Sequence, residues 1–318
     1  MIRLRRSVLA VPGSNPRKMA KAATTAADEV FLDLEDAVAP SQKDEARRLV
    51  VEALRGIDFG TRTVSVRVNS CGSMMTYADI VAVVEGAGDR IDCIMLPKVE
   101  SYDEALFASR LLEQIERHRG ITGRSGTPIG LEVIVESPRG LFASLEIARL
   151  PRVEALIFGP GDYSAALGLP HTSIGEIDRS YPGDKWHFVA SWLVNAARAA
   201  HIQAIDGPYA LYKDSDGLAE SASRSRALGY DGKMAIHPDQ IDVLHRIFGP
   251  DQATYDRAEE ILEAYARALA AGQGVAAHDG EMIDEASRRM AEVVAGQGRA
   301  LGMTRSGAIP AQSERPAD

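Results

Sequence analysis

The sequence LEVIVESPRG, residues 131–140, decides the fold of this chain. Apolar residues occupy odd-numbered and even-numbered positions alike, as they do in a strand of a parallel sheet that is buried on both faces. Such a sheet needs covering helices, and when it closes into a barrel the reactive groups lie where the strands end. Glu136 occupies such a position, directly before a Ser-Pro break. The stretch therefore predicts a parallel α/β fold with a carboxylate at its functional rim.

A second apolar run, residues 155–158, ends in the same way at Gly159-Pro160-Gly161-Asp162. Glycines such as Gly161 let a ligand approach the backbone closely, and Asp162 is a second carboxylate at a strand end. Two carboxylates from successive parallel strands, together with water and substrate oxygens, suit Mg²⁺ or Mn²⁺. Glu136 and Asp162 are therefore candidate metal ligands. The alternative is that Glu136 caps the next helix and Asp162 starts a turn.

The chain alternates strand-like and helix-like patterns eight times. The strand-like segments are residues 7–11, 29–34, 63–68, 93–96, 131–135, 155–158, 203–206 and 232–236. Eight such units predict a (β/α)8 TIM barrel over residues 1–249. Residues 250–303 predict a C-terminal helical extension of two helices joined by a loop at 272–280, and we expect it to act as a lid. Residues 304–318, rich in Ser, Pro and charge, are expected to be disordered.

The composition is typical of a globular enzyme, and we expect a cytoplasmic one. The 318 residues are 45% hydrophobic and 25% charged, enough for a barrel and an extension. The formal charge of -9 argues against nonspecific nucleic-acid binding. The two cysteines, Cys71 and Cys93, indicate neither a disulfide framework nor a zinc site. The apolar run at 8–11 is too short for a signal-peptide core, and no later segment is long enough to cross a membrane.

Arg67 is the cationic candidate at the predicted rim. Arg67 lies two residues from both Ser65 and Asn69, so the three side chains share one face of the strand. We therefore expect Arg67 to point into the barrel mouth and to bind a carboxylate bidentately. A structural salt bridge to Glu35 or Asp36 is the alternative. Glu35 and Asp36 follow the preceding strand and could orient Arg67 or hydrogen-bond metal-bound water. Helix capping is the other role open to Asp36.

Eight ordered motifs, which cover nearly the whole chain, resemble the citrate lyase β-subunit-like CoA-ester lyases of the HpcH/HpaI aldolase superfamily. The resemblance is strongest to the malyl-CoA lyases. The motifs are VPGS (11–14), LDLEDAVAP (32–40), VRVN (66–69), MLPK (95–98), EVIVES (132–137), GD (161–162), AIHP (235–238) and GEMID (280–284).

The resemblance implies a Mg²⁺-dependent homo-oligomer, a trimer or hexamer, that cleaves or forms a C–C bond beside a CoA thioester. It assigns Glu136 and Asp162 to the metal and Arg67 to the carboxylate of a 2-oxo acid. It also places Asp284, as a catalytic acid or base, in the active site of a neighbouring subunit. Asp284 precedes Glu285 and Ala286, so it is equally suited to cap a helix.

The remaining substrate contacts are expected at three places. Gly161, next to the candidate metal ligand Asp162, is expected to contact the substrate. Ile236 and His237, in the motif at the end of the eighth strand, are expected to contact it as well. Four residues at the start of the first helix could gather CoA phosphates. They are Asn15, Arg17, Lys18 and Lys21.

The predicted reaction is reversible Claisen-type cleavage of a malyl-CoA-like 3-hydroxyacyl-CoA to glyoxylate and acetyl-CoA or propionyl-CoA. The two acyl products differ by a methyl group, which pockets discriminate only weakly. Three alternatives stay open. The chain could be a malyl-CoA thioesterase, a citryl-CoA lyase within a citrate lyase complex, or a noncatalytic CoA-ester-binding protein.

Overall fold

The computed structural model describes residues 3–170, 173–179 and 183–306. Eight parallel strands hydrogen-bond in sequence order and close into a barrel, which confirms the predicted (β/α)8 fold. The strands are β1 (Ser7–Pro12), β2 (Glu29–Asp33), β3 (Thr63–Arg67), β4 (Cys93–Leu96), β5 (Gly130–Val135), β6 (Val153–Phe158), β7 (Gln203–Asp206) and β8 (Gly232–Ala235).

Helices surround the barrel and connect its parallel strands, as parallel pairing requires. They are α1 (Pro16–Ala22), α2 (Lys43–Gly56), α3 (Thr76–Ala87), α4 (Tyr102–Arg119), α5 (Pro138–Ile147), α6 (Pro160–Ala166), α7 (His187–Ala199), α8 (Ser215–Leu228) and α9 (Ile241–Phe248). Short 3₁₀ helices occupy Pro40–Gln42, Gly88–Arg90 and Pro238–Gln240. The described residues of the connection from β6 to β7 form two helices, α6 and α7.

Two apolar layers explain why the strands are apolar at both alternating positions. In β2, Val30 and Leu32 pack outward against the helices, whereas Phe31 lies among the residues that fill the barrel. The interior layer consists of Val8, Phe31, Met95, Ile134, Ala155, Ile157, Ile205 and Met234. Because alternate residues of a strand point to opposite faces, every strand except β3 contributes apolar residues to both layers.

A buried ionic network lies near the amino-terminal ends of the strands. The Arg5 side chain is 2% exposed and forms ion pairs of 2.9 Å with Glu29, 2.7 Å with Glu132 and 2.9 Å with Glu154. Burial and the neighbouring Glu29 raise the pKa of Glu132 far above its usual range. Arg5 is therefore the cation that makes a group of buried carboxylates tolerable in the barrel.

We expect Arg5→Met to destabilise the protein by about 3–5 kcal/mol, because removing one partner of a buried ion pair leaves its carboxylates uncompensated. The free energy of unfolding from urea titration is the measurement. Arg110→Met is the matched control, since Arg110 forms an exposed ion pair with Glu113 on α4, and exposed pairs contribute little. Equal stability of the two variants would contradict this assignment.

The chain divides into two compact units, Arg5–Phe248 and the residues from Gly249 onward together with residues 3 and 4. The second unit contains α10 (Gln252–Ala270), a hairpin of β9 (Ala276–His278) and β10 (Glu281–Ile283), and α11 (Glu285–Ala300). Small residues let α10 and α11 pack closely through Ala258, Ala291 and Ala295.

The hairpin corrects the expectation of an irregular loop at residues 272–280. Asp279 and Gly280 connect its strands with φ values of 47° and 80°, and two successive positive φ values are what a two-residue type I′ turn requires. Residues 304–306 also differ from expectation, because Ser306 N donates to Asp256 Oδ1 at 3.0 Å and Arg305 pairs with Glu260 and Glu263. The rest of the predicted tail, residues 307–318, lies outside the described residues.

Within the described ranges, the helices are all too short or too polar to cross a lipid bilayer.

Candidate functional site

The carboxyl ends of β2 to β6 carry a cluster of charged side chains. Asp33 and Arg67 are the last residues of β2 and β3, and Glu136 directly follows β5. Asp162 lies in the first turn of α6, which follows β6. Because the strands are parallel, these ends share one rim of the barrel, the rim where active sites of this architecture lie.

Glu136 is a buried carboxylate, 6% exposed, whose Oε1 accepts a hydrogen bond of 2.7 Å from the Lys98 backbone N–H. Burial and the negative charges of Asp162 and Glu35 raise the pKa of Glu136 to about 8. Ser137, and not Glu136, caps α5, because its side chain accepts from Gly140 N at 3.1 Å. The capping alternative for Glu136 is therefore wrong.

Gly159 provides the space that Glu136 occupies. A Cβ atom on Gly159 would lie 2.5 Å from Glu136 Cβ and 2.6 Å from Glu136 Oε2. Only glycine allows β6 to approach the Glu136 side chain this closely. Asp162 is half-exposed, with 46% of its side chain accessible, and it belongs to the helix that Gly159 begins.

Lys98 contacts the carboxylates that surround Glu136. Its Nζ donates to Glu35 Oε1 at 2.5 Å and to Asp36 at 3.2 Å, and it lies 3.9 Å from Asp162 Oδ2. Burial lowers the pKa of Lys98, but the hydrogen bond to Glu35 and the neighbouring charges outweigh burial and leave that pKa raised. Asp36 thus serves the cluster and caps no helix, since α2 begins after Gln42.

Arg67 makes the structural contacts that were the alternative to ligand binding, although its main partner is Asp33. Its Nε and Nη2 donate to the two carboxylate oxygens of Asp33 at 2.8 Å and 2.6 Å. Its Nη1 lies 3.3 Å from Glu35 Oε2. The guanidinium has five N–H donors, so this arrangement leaves donors for a further carboxylate while Asp33 fixes its plane.

The donor set at this rim fits a hard divalent cation such as Mg²⁺. Glu136 is costly to ionise where it stands, because burial and two neighbouring carboxylates disfavour its charge. A bound cation would remove that cost, since an opposite charge favours the ionised form. Glu136 and Asp162 are the residues that would hold the metal.

A sequence model of one protein family, described as HpcH/HpaI aldolase/citrate lyase, matches residues 6–238. The chain belongs to the HpcH/HpaI aldolase/citrate lyase family. The matched segment includes every strand of the barrel. It also includes the four carboxylates that Lys98 contacts, which are Glu35, Asp36, Glu136 and Asp162.

Relatives with known names align along nearly the whole chain. The L-malyl-CoA/beta-methylmalyl-CoA lyase of Cereibacter sphaeroides is 38% identical over 90% of this chain and 92% of its own. The lyase of the same name from Rhodobacter capsulatus is 39% identical over 93% of this chain and 95% of its own. Citrate lyase subunit beta of Escherichia coli is 35% identical over 89% of each chain. These relatives identify the protein as a carbon–carbon lyase.

Two solved structures share the architecture of this chain. The protein CitE from Mycobacterium tuberculosis, in complex with magnesium, acetoacetate and coenzyme A, superposes with a TM-score of 0.71 at 29% identity, covering 91% of this chain and 97% of its own. A citrate lyase from Burkholderia xenovorans gives a TM-score of 0.82 at 22% identity, covering 96% and 95% of the two chains, and shows the fold.

The other predicted substrate residues of the barrel lie near this rim or after its strands. A Cβ atom on Gly161 would lie 3.1 Å from Ile174. Ile236 follows β8 and is 43% exposed. His237 begins the adjacent 3₁₀ helix, where its Nδ1 accepts from Asp239 N at 3.2 Å, and its ring stacks on Tyr212 with centroids 4.8 Å apart.

The residues predicted to bind CoA phosphates lie at α1, after β1. Asn15 caps this helix, and its Oδ1 accepts from Lys18 N at 3.0 Å. The side chains of Arg17, Lys18 and Lys21 are exposed. They are therefore accessible to an anion, and their role in CoA binding stays a prediction.

Asp284 lies in the C-terminal unit and caps α11. Its Oδ1 accepts from Ser287 N at 2.9 Å and from Ser287 Oγ at 3.1 Å. These hydrogen bonds lower the pKa of Asp284. The helix-capping role is thus present, and a catalytic role in a neighbouring subunit stays a prediction.

Sequence reasoning missed two members of the cluster, Asp33 and Lys98. Both belong to motifs of the HpcH/HpaI resemblance, LDLEDAVAP and MLPK. Asp33 pairs in register with Arg67 on the neighbouring strand, but the register of two strands is not visible in either segment alone. Lys98 could have been suspected from its place two residues after the buried strand β4.

We expect Gly159→Ala to weaken binding of a divalent cation by about tenfold or more, the cost of disturbing the support of a metal ligand. The added methyl group would overlap Glu136 Cβ and Oε2, so the carboxylate must move. Calorimetric titration with Mg²⁺ or Mn²⁺ is the measurement. Gly72→Ala is the control, because a Cβ there meets no atom within 4 Å. Equal affinities in the two variants would show that Gly159 does not shape a metal site.

Proposed function

We propose that this carbon–carbon lyase catalyses the reversible, Mg²⁺-dependent cleavage of a malyl-CoA-like 3-hydroxyacyl-CoA. The products are glyoxylate and acetyl-CoA or propionyl-CoA. The proposal is supported by the names of the two bacterial lyases at 38% and 39% identity. It is also supported by the magnesium, acetoacetate and coenzyme A in the related CitE structure.

The observation that carries the proposal is the pair Glu136 and Asp162 at the rim, with Arg67 held at the same rim by Asp33 and Glu35. A 2-oxo acid has a carboxylate and an adjacent carbonyl, so it needs a cationic clamp next to an electrophilic centre. When bound by Glu136 and Asp162, Mg²⁺ supplies a Lewis acid that polarises the carbonyl. Arg67 binds the carboxylate through the guanidinium donors that Asp33 leaves available.

The acid–base step is assigned to Asp284 of a neighbouring subunit in a trimer or hexamer. In the synthetic direction its carboxylate takes a proton from the carbon beside the thioester carbonyl and, once the C–C bond has formed, gives that proton to the alkoxide left on the former carbonyl of the 2-oxo acid. In the cleavage direction the carboxylate takes the hydroxyl proton, and the carbon of the departing acyl-CoA enolate receives it. Asp284 is ionised at neutral pH, as a base must be, since even an unperturbed aspartate is, and hydrogen bonds from Ser287 lower its pKa further. We also propose that the C-terminal unit, which carries Asp284, acts as a lid.

A product assay tests the proposed reaction. The protein is incubated with Mg²⁺ and, separately, with malyl-CoA, methylmalyl-CoA and citryl-CoA, and all products are identified. Formation of glyoxylate with acetyl-CoA or propionyl-CoA is the expected result. Free CoA with malate would instead identify a thioesterase, and oxaloacetate from citryl-CoA would identify a citryl-CoA lyase. Binding of a CoA ester without any product would identify a noncatalytic binding protein.

We expect Glu136→Ala and Asp162→Ala each to reduce turnover by more than about a hundredfold while the protein stays folded. Each variant removes one of two protein metal ligands, a larger change than the loss of an outer-shell partner, which costs about 10–100-fold. Rates at saturating substrate and Mg²⁺, with circular dichroism to check folding, are the measurements. Glu45→Ala, which removes an exposed carboxylate from α2, is the control. Full activity in either rim variant refutes the metal assignment.

The sharing of Asp284 between subunits predicts complementation. Asp284→Asn and Glu136→Ala proteins are each expected to be inactive, but a mixture that has exchanged subunits should recover part of the activity. In a mixed oligomer, one active site can receive an intact Asp284 from one subunit and an intact Glu136 from the other. Rates before and after exchange are the measurement, with exchange verified by native mass spectrometry. Verified exchange without recovered activity means that each site is built within one subunit.

A further inference from the structure

Lys98 has a backbone conformation that is unusual for a residue with a side chain. It lies two residues after β4 and has a φ of 53°. This is the left-handed region, which residues other than glycine, asparagine and aspartate seldom occupy. Such conformations persist where the surrounding contacts determine them, and they concentrate at functional sites. The contacts that hold Lys98 in this conformation therefore point to a role in the site.

The conformation lets one residue contact the cluster from two directions. The backbone N–H of Lys98 donates to Glu136 Oε1 at 2.7 Å. Its side chain reaches Glu35 and Asp36, with Nζ also 3.9 Å from Asp162. Lys98 thus links the two candidate metal ligands to the carboxylates beside Arg67.

Glu35 lies between the two cations of the cluster. It is 5% exposed, and its Oε1 accepts from Lys98 Nζ while its Oε2 lies 3.3 Å from Arg67 Nη1. The Oε2 atom is buried and makes no hydrogen bond of good geometry. A buried carboxylate needs a cationic partner, and Lys98 supplies one, so Arg67 need not turn fully toward Glu35.

We propose that Lys98 is a positioning residue that keeps Arg67 available for the carboxylate of the 2-oxo acid by neutralising Glu35. This inference rests on the proposed function. Without the ammonium group, Arg67 would be the nearest cation to Glu35, and the present 3.3 Å ion pair between Arg67 Nη1 and Glu35 Oε2 would tighten into a hydrogen bond. Fewer donors would then remain for the substrate carboxylate.

The same geometry predicts a different effect on the metal. The Lys98 ammonium lies close to Asp162, so it opposes a bound cation, and its removal leaves the rim more negative. The backbone bond to Glu136 survives any substitution except proline, because it uses the N–H of Lys98. Loss of the side chain should therefore weaken binding of the 2-oxo acid without weakening binding of Mg²⁺.

The test measures the two affinities separately in Lys98→Met, Lys98→Arg and Lys98→Gly proteins. Calorimetry gives the affinity for Mg²⁺ alone and then for glyoxylate at saturating Mg²⁺. For Lys98→Met we expect glyoxylate affinity to fall by about tenfold or more, the effect of one charge-assisted hydrogen bond. We expect Mg²⁺ affinity to stay within about threefold or to rise. Lys98→Arg, which keeps the charge, should recover much of the glyoxylate affinity.

Lys98→Gly keeps the N–H and removes the unfavourable φ, so it replaces Lys98→Met if that protein does not fold. Arg110→Met is the control, because it removes an exposed cation of α4. Unchanged glyoxylate affinity in a folded variant, a parallel loss of both affinities, or failure of both variants to fold would each overturn the inference. If the wild-type protein binds neither ligand, the proposed function itself fails and this inference fails with it.

Discussion

Mutual repulsion among the carboxylates of Glu35, Asp36, Glu136 and Asp162 is the constraint on which the rest of the site depends. The parallel barrel fixes these groups at one rim, and burial together with the neighbouring charges raises the pKa of Glu136 to about 8. Two resident cations, Lys98 and Arg67, offset part of the repulsion. The remaining excess of negative charge near Glu136 and Asp162 makes the rim a site for a divalent cation.

The fold keeps this repulsion tolerable by using backbone and side-chain groups that cannot move away. Asp33 fixes the plane of Arg67 with two hydrogen bonds and also accepts from the backbone N–H groups of Glu35 and Ala37. Gly159 leaves room for the Glu136 side chain, and the Lys98 N–H holds one of its oxygens. A site assembled in this way is organised before any ligand arrives, so binding energy is not needed to order it.

Much of the barrel could be predicted from sequence, because apolar runs such as residues 131–135 indicate strands that are buried on both faces. β6 begins at Val153, two residues before the predicted start, because Glu154 interrupts the apolar run between Val153 and Ala155. Glu136 and Asp162 were predicted because a strand end is visible locally. The Asp33–Arg67 pair depends on the register of β2 and β3, and the conformation of Lys98 depends on contacts from distant segments. The Asp279-Gly280 turn was a readable hairpin signal, but the three-residue strands beside it are too short to show a pattern.

The position of a bound metal tests the central claim most directly. The described residues contain a competing group in the C-terminal unit, where Glu260, His278 and Asp279 bring possible ligand atoms within 4.8 Å of one another. Crystals grown with Mn²⁺ and glyoxylate would locate the ion by its anomalous scattering. We predict the strongest anomalous peak in direct contact with the carboxylates of Glu136 and Asp162, with Arg67 on the glyoxylate carboxylate. A peak at the C-terminal group with none at the barrel rim would contradict the account.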